Sequence, residues 1–235
     1  TYLYRPERGN IYDRNHKLLA STIANIALNS ANSKKDARLV RMGFTEKRQR
    51  VYPEKDLSAH ILGFVGMDQQ GLAGIEFFYD DLLGGTPFWL KEQQDALGRK
   101  LYLPEELLQM LPQGKDIVLS LDRVLQYMVE KELKLQISRL GAKAGVVIIM
   151  EPFTGEILAL ADQPSFDPAS YQDYSPERWR NKGISDIYEP GSTFKILVMA
   201  AAINEDAVLM DTKCDECGGP RDIGGFTIRT WNNKY

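Results

Sequence analysis

Apolar positions along this chain change their period several times, and each change predicts an element. Short apolar stretches at residues 10–12 and 18–21, divided by Asp13-Arg14-Asn15, predict two strands around a turn. Arg8, Asp13 and Arg14 are expected either to brace that turn or to lie on a solvated hairpin tip. Residues 22–47 are mixed, and the polar run 29–36 reads as a loop or break. Residues 57–66 predict a short helix and then a strand, with glycines that allow close packing. From Gly71 to Gly85 the apolar residues recur at helical spacing, which predicts an amphipathic helix burying Ile75, Phe78, Tyr79 and Leu82. Residues 88–94 and 100–103 read as paired strands around Asp95-Ala96-Leu97-Gly98.

A boundary is predicted near Pro112-Gln113-Gly114, dividing the chain into 1–112 and 113–235. Beyond it, residues 116–121 predict a strand and 122–140 an amphipathic helix. Val124, Leu125, Met128, Leu133, Ile137 and Leu140 form its apolar stripe, and Gly141 caps it. Residues 145–150 are continuously apolar and predict a buried strand. Thr154-Gly155 turns the chain into a second strand at 156–161, and a loop rich in proline and aromatic residues follows at 164–180. The most apolar run, Ile196-Leu197-Val198-Met199-Ala200-Ala201-Ala202-Ile203, predicts a helix buried on all sides. Helices, antiparallel strands and then a buried helix make an α+β fold.

Composition changes this picture little. The 235 residues are 43% hydrophobic and 26% charged, an ordinary globular balance, and a net charge of -3 leaves no basic footprint for nucleic acid. No apolar run is long enough to span a bilayer, so any membrane anchor is expected to lie outside these residues. Cys214 and Cys217, the two cysteines, lack a second ligand pair for zinc and a βαβ neighbour for redox work, and a structural role is expected for them. His16 and His60 lack a triad context, and the same expectation holds for both. No metal or organic cofactor is implied.

The chemistry concentrates at Tyr188-Glu189-Pro190-Gly191-Ser192-Thr193-Phe194-Lys195, the place of the chain's single Ser-x-x-Lys. Pro190 and Gly191 turn the backbone into the apolar helix, so Ser192 and Lys195 share its first turn and one face. Burial and the positive helix end both lower the pKa of such a lysine, making it a neutral amine that takes the serine's proton. The bland alternative has Ser192 as a helix cap and Lys195 snorkelling to water.

Several blocks, in order, resemble the class B penicillin-binding proteins, which are bacterial cell-wall transpeptidases. They are Arg8-Gly9-x-Ile11-x-Asp13-Arg14-Asn15 with Leu19-Ala20, Arg50-x-Tyr52-Pro53 with His60 and Gly63, and Gly71-x-x-Gly74-x-Glu76 with Tyr79-Asp80. Ala144-Gly145 onward with Thr154-Gly155-Glu156-Ile157-Leu158-Ala159 follows, and then Glu189-Pro190-Gly191-Ser192-Thr193-Phe194-Lys195. The resemblance implies a β-rich, dimerisation-like pedestal at 1–112 and the opening of a transpeptidase domain at 113–235. It implies Ser192 as nucleophile with its backbone N–H as an oxyanion donor, and Lys195 as general base. The implied substrate is the D-Ala-D-Ala end of a peptidoglycan stem peptide, and β-lactams would acylate the same serine. Implied partners are a membrane glycan polymerase and division proteins. The implied location is the inner membrane, with the catalytic domain on the periplasmic face.

Residues 63–66 leading into 71–76, then Asp95-x-x-Gly98-Arg99, resemble the division branch more than the elongation branch. Two departures stand beside the resemblance. No Ser-x-Asn or Lys-Thr/Ser-Gly follows Ser192, so the residues given are expected not to turn over alone. The stretch between Ala20 and Arg50 is also much shorter than the family's pedestal insert. The alternatives are a scaffold that docks a glycan polymerase, and a β-lactam sensor or β-lactamase, which the pedestal blocks disfavour.

Overall fold

The turn at Asp13-Arg14-Asn15 forms because Asp13 holds it from inside. Its Oδ1 accepts from the backbone N–H of Asn15 at 2.8 Å and of Lys17 at 2.7 Å. The computed structural model describes residues 2–25, 47–90, 93–94, 100–101, 112–209, 211–213 and 219–229. Two compact units result, Thr1–Asp186 and Ile187–Tyr235.

In the first unit the strands β1 (Tyr2–Tyr4), β2 (Ile11–Tyr12), β3 (Leu18–Asn25) and β4 (Lys47–Val51) precede three short helices. These are α1 (Ala59–Leu62), α2 (Gly74–Phe78) and α3 (Asp80–Gly84). Then come β5 (Phe88–Leu90), β6 (Gln93–Gln94), β7 (Lys100–Leu101) and β8 (Ile117–Val118). A four-stranded sheet runs β4-β3-β2-β8. Its β2–β8 pair is parallel, with Ile11 beside Ile117, so the start of the chain lies along the strand that leads out of the N-terminal region. β5 pairs with β1, whereas the sequence pairs 88–94 with 100–103; only β6 and β7 form that hairpin. No strand follows α1, since Val65 makes a lone bridge to Gly71. Residues 26–46 and the segment 95–99 lie outside the described residues, as do Cys214 and Cys217.

Arg8, Asp13 and Arg14 do not brace one another. Arg8 instead enters a buried ion network: its Nε meets Glu76 Oε2 at 2.7 Å, and Arg50 Nε meets Glu76 Oε1 at 2.7 Å. Arg8 Nη1 also reaches Asp80 Oδ1 at 2.5 Å, and Arg50 Nη1 donates to the Gly9 carbonyl at 2.7 Å. Burial of Glu76 is complete, at 0% exposure, and two guanidiniums compensate the charge that burial would otherwise penalise. Of the stripe predicted over 71–85, Ile75 packs against the core, while Phe78, Tyr79 and Leu82 do not. The segment is two helices broken at Tyr79 (φ -109, ψ 29), and the face turned inward carries Glu76 and Leu83, leaving Phe78 76% exposed. Leu83 joins Ile11, Leu19, Ala20, Tyr52 and Leu62 in the core beneath the sheet. Gly63 and Gly74 bring α1 and α2 together; a Cβ on Gly63 would stand 1.8 Å from the Ala73 carbonyl oxygen.

The predicted helix at 122–140 is α4 (Arg123–Leu140). Asp122 caps it by accepting from Val124 N–H at 2.9 Å and Leu125 N–H at 3.0 Å, and Gly141 closes it in the left-handed conformation. Those donors hold the Asp122 carboxyl below its usual range, the Leu125 N–H contributing most. The predicted stripe is corrected here too: Val124, Met128 and Leu140 are exposed, and the most buried residue is Gln126. Its side-chain amide meets the backbone of β10 (Ile157–Gln163), donating to the Leu160 carbonyl at 2.7 Å and accepting from Leu160 N–H at 2.8 Å. A polar residue on the packed face is explained by that strand contact.

β9 (Gly145–Met150) pairs with β10 in an antiparallel hairpin as predicted, but it alternates half-buried and exposed residues instead of being buried throughout. Leu133 and Ile137 of α4 press on Gly145, where a Cβ would lie 3.0 Å and 3.1 Å from their Cδ1 atoms. The loop at 164–180 folds into a 3-10 turn at Pro168–Asp173 and α5 (Pro176–Trp179), and α6 (Lys182–Ser185) ends the unit. The second unit holds a 3-10 turn at Gly191–Thr193, α7 (Phe194–Asn204), and the hairpin β11 (Arg221–Ile223) with β12 (Phe226–Ile228). The mixed helices and antiparallel strands give the α+β class read from the sequence.

Candidate active site

The Pro190-Gly191 turn is present as predicted. Pro190 sits at φ -70 and Gly191 at φ +57, a conformation in which a side chain would be strained. Ser192 occupies the middle of the 3-10 turn, and Lys195 is the second residue of α7. Thr193 Oγ1 and N–H both donate to the Pro190 carbonyl, so the neighbouring threonine, not Ser192, ties the turn down. The cap position of α7 is Thr193 and no side chain caps the helix, so Ser192 does not take the capping role of the bland alternative.

Burial is where expectation and structure part. Ser192, Lys195 and nearly all of α7 are exposed, Ile196 at 73% and Leu197 at 63%. Among the described residues of 187–235, Ile223, Phe226 and Ile228 of the hairpin are exposed as well.

In the first unit, the hairpin β9–β10 is buttressed by an aromatic nest. Phe64 stacks on Tyr171 with centroids 4.0 Å apart and meets Phe166 and Trp179 edge-on. His60 packs edge-on against Phe166, and its Nε2 pairs with the Arg178 carbonyl at 2.8 Å. Burial pushes its pKa down, and the neighbouring Asp162 opposes that shift. The structural role expected of His60 fits these contacts. An apolar cavity of about 490 Å³ borders His60, Ile75, Phe78, Leu160 and Ile184. The hydroxyls at its edge donate to backbone carbonyls, Ser120 to Ile157 and Ser185 to Asn181, so neither is an activated nucleophile.

Sequence reasoning missed two charged groups in this unit. Glu130 of α4 is mostly buried, and its Oε1 accepts from Gln126 Nε2 at 2.7 Å and Ser58 N–H at 2.8 Å. Burial drives its pKa up to about 7. Asp162 of β10 is buried and grips Lys182 twice, accepting from Nζ at 2.9 Å and from the backbone N–H at 2.6 Å. The lysine in Asn181-Lys182-Gly183 was the available signal, but its partner lies twenty residues upstream on another element.

Residues 145–235 match the family model of the penicillin binding protein transpeptidase domain. The chain is similar to the stage V sporulation protein D of Bacillus subtilis, at 37% identity over 185 residues, covering 77% of this chain and 28% of that protein. It is 36% identical to the probable peptidoglycan D,D-transpeptidase PenA of Neisseria gonorrhoeae (79% and 32% covered) and 33% identical to the peptidoglycan D,D-transpeptidase FtsI of Escherichia coli K12 (83% and 32%). Among solved structures it is similar to penicillin binding protein 3 of Mycobacterium tuberculosis, at a TM-score of 0.70 and 26% identity over 97% of this chain and 43% of that one. That protein has also been solved in complex with aztreonam, and the likeness there has a TM-score of 0.68. The chain spans about a third of the length of these curated relatives. The motifs, the α+β fold and the relatives agree, and the chain belongs to the class B penicillin-binding proteins.

Proposed function

We propose that this chain is the nucleophile-bearing part of a peptidoglycan D,D-transpeptidase that cross-links stem peptides during septal wall synthesis. The observation that carries the reading is the placement of Ser192 and Lys195. They stand on a Pro-Gly turn at the root of an apolar helix, inside the matched transpeptidase region. Ser192 Oγ attacks the carbonyl between two D-alanines, and Lys195 takes its proton. The C–N bond breaks, the proton passes to the departing D-alanine amine, and an acyl-enzyme remains. An amine of a neighbouring stem peptide then attacks the ester, forms the cross-link and returns the proton to Ser192. The backbone N–H of Ser192 supplies one oxyanion donor. A β-lactam acylates the same oxygen by ring opening, in keeping with the aztreonam and ampicillin complexes of the mycobacterial protein.

Residues 1–112 act in this reading as a pedestal that docks a membrane glycan polymerase and division proteins, and 113–235 open the transpeptidase domain. The whole protein is held at the inner membrane with this part on the periplasmic face. The septal assignment draws support from the FtsI relatives. The test is an intact mass spectrum of the full-length protein before and after brief exposure to a penicillin. A single stoichiometric adduct on the wild type supports the reading if Ser192→Ala abolishes it. Its absence from the folded full-length protein overturns the catalytic role and leaves the docking scaffold as the better account.

A further inference from the structure

We propose that Glu130 is a protonation-controlled latch between helix α4 and the turn at residues 54–58. It holds the turn down while its carboxyl is neutral and lets it lift when the carboxyl is ionised.

The turn is a segment that needs holding. Lys55 (φ 55) and Ser58 (φ 60) both lie in the left-handed region, which strains a residue that carries a Cβ. Its own bonds are short-range: Lys55 N–H donates to the Tyr52 carbonyl at 3.0 Å and Leu57 N–H to the Glu54 carbonyl at 3.2 Å. Ser58 stands at the start of α1 without capping it, and its buried hydroxyl has no hydrogen-bond partner among the described residues. What fixes Ser58 is its backbone N–H, which donates to Glu130 Oε1 at 2.8 Å across 72 positions of sequence. The same oxygen accepts from Gln126 Nε2 at 2.7 Å, and Gln126 is bonded in turn to the Leu160 backbone. One oxygen therefore ties the turn to α4 and, through Gln126, to β10. All of these residues lie in the first unit.

Both donors to Glu130 are uncharged, and among the described residues it makes no ion pair. The charged groups of the surrounding elements are engaged elsewhere or turned to water. On α4, Arg123 pairs with Glu54, while Lys131 and Lys134 are exposed. From β10, Asp162 holds Lys182; from α5, Arg178 directs Nη1 to the Ser165 carbonyl at 3.4 Å. His60 of α1 pairs with the Arg178 carbonyl. The turn contributes the exposed Lys55 and a like charge, Asp56, whose carbonyl is held by Ser165 Oγ at 3.2 Å. Burial without a counter-charge drives the Glu130 carboxyl up to about 7, with Asp56 adding to the shift and its two hydrogen bonds opposing it. An ionised Glu130 regains water by parting from Ser58, and the strained turn gains by the same movement. The closed turn keeps a proton that the open one gives up. Opening therefore becomes easier as pH rises from about 4.5 towards 7 and changes no further above that. The attachment of this turn to α4 thus follows the pH around the protein.

The test is hydrogen exchange of the full-length protein from pH 5 to 8, read at single amides and corrected for the chemical pH dependence of exchange. Protection of the Ser58 amide is expected to fall more than about tenfold over this range, and to be lower at pH 8 than that of amides in the middle of α4. Glu130→Gln keeps the acceptor without the titration, so its Ser58 protection should stay flat with pH. Asp56→Asn removes the like charge and should move the wild-type profile to lower pH. A flat profile in the wild type, or a pH dependence that survives in Glu130→Gln, overturns the latch. So does a Ser58 amide that exchanges no faster than those of α4 at pH 8, since the turn would then open only when the whole unit unfolds.

Discussion

The buried ion network of the N-terminal region and the apolar helix α7 solve opposite problems. Around Glu76, charged side chains have been taken out of water and supplied with partners: two arginines, the Asp80 carboxylate and backbone carbonyls. Around Lys195, the apolar side chains of α7 are exposed among the described residues. The first region completes itself from residues far apart in sequence, Arg8, Arg50 and Glu76. The second carries the candidate residues Ser192 and Lys195 on a short, local turn. Long-range pairing thus marks the one region and local turn geometry the other.

That contrast is broken or sharpened most strongly at Ser192. Ser192→Ala is expected to abolish the penicillin adduct while the unfolding free energy moves by less than about 0.5 kcal/mol, as for other exposed substitutions. Mass spectrometry beside a urea titration reads both; a large loss of stability would mean that the turn is structural after all.

Glu76→Ala should do the reverse. It leaves two buried guanidiniums without their shared counter-charge, and a loss of about 3–5 kcal/mol is expected in the same titration. The adduct per folded molecule is expected to persist. Tyr52 gives a spectroscopic companion, since burial, and then the Glu76 charge, hold its hydroxyl well above its ordinary pKa. Its ionisation in a pH titration is expected to move down in this variant.

A smaller effect is expected at Glu130, with a pH signature. Its carboxyl titrates near 7 in the folded chain, above the ordinary glutamate value of about 4.5. Between those pH values the folded state keeps a proton that the unfolded state has released, so stability falls as pH rises through the window and levels off above it. Glu130→Gln retains an acceptor for Gln126 and Ser58 without the buried charge. The variant should exceed the wild type at pH 8 by on the order of 2 kcal/mol, and the difference should vanish towards pH 4. A pH-independent difference would sink this account. The smallest expected effect is at the α4 cap, where Asp122→Ala should cost about 1 kcal/mol and leave acylation unchanged.

The local signals were legible in the sequence. Asp122 and Gly141 bound α4 because a cap and a left-handed stop act within a few residues of themselves. Pro190 and Gly191 announce the turn before α7 for the same reason. The failures share a different cause. Periodicity assigned Phe78 to a buried face because it cannot register that Arg8, 68 residues earlier, claims Glu76 on the other one. It passed over Gln126 because the strand backbone that makes this amide a core residue is 34 positions away. The Asp162–Lys182 clamp escaped notice on the same ground. The turn that carries Ser192 and Lys195 was legible, whereas the exposure of α7 was not, since a sequence pattern marks a surface as apolar without naming what lies against it.

The parallel pairing of β2 with β8 has a mechanical consequence. Residues 7–14 and 114–121 run side by side, joined by bonds from Gly114 N–H to the Glu7 carbonyl, Ile117 to Asn10, Leu119 to Tyr12 and Arg14 to Leu121. A pull on the N-terminal end against a load carried beyond α4 would strain these four bonds together, in shear, instead of peeling them one by one. Tension along the chain would load this lap joint, and the Arg8 ion pairs that lie within it, before it reached the β9–β10 hairpin.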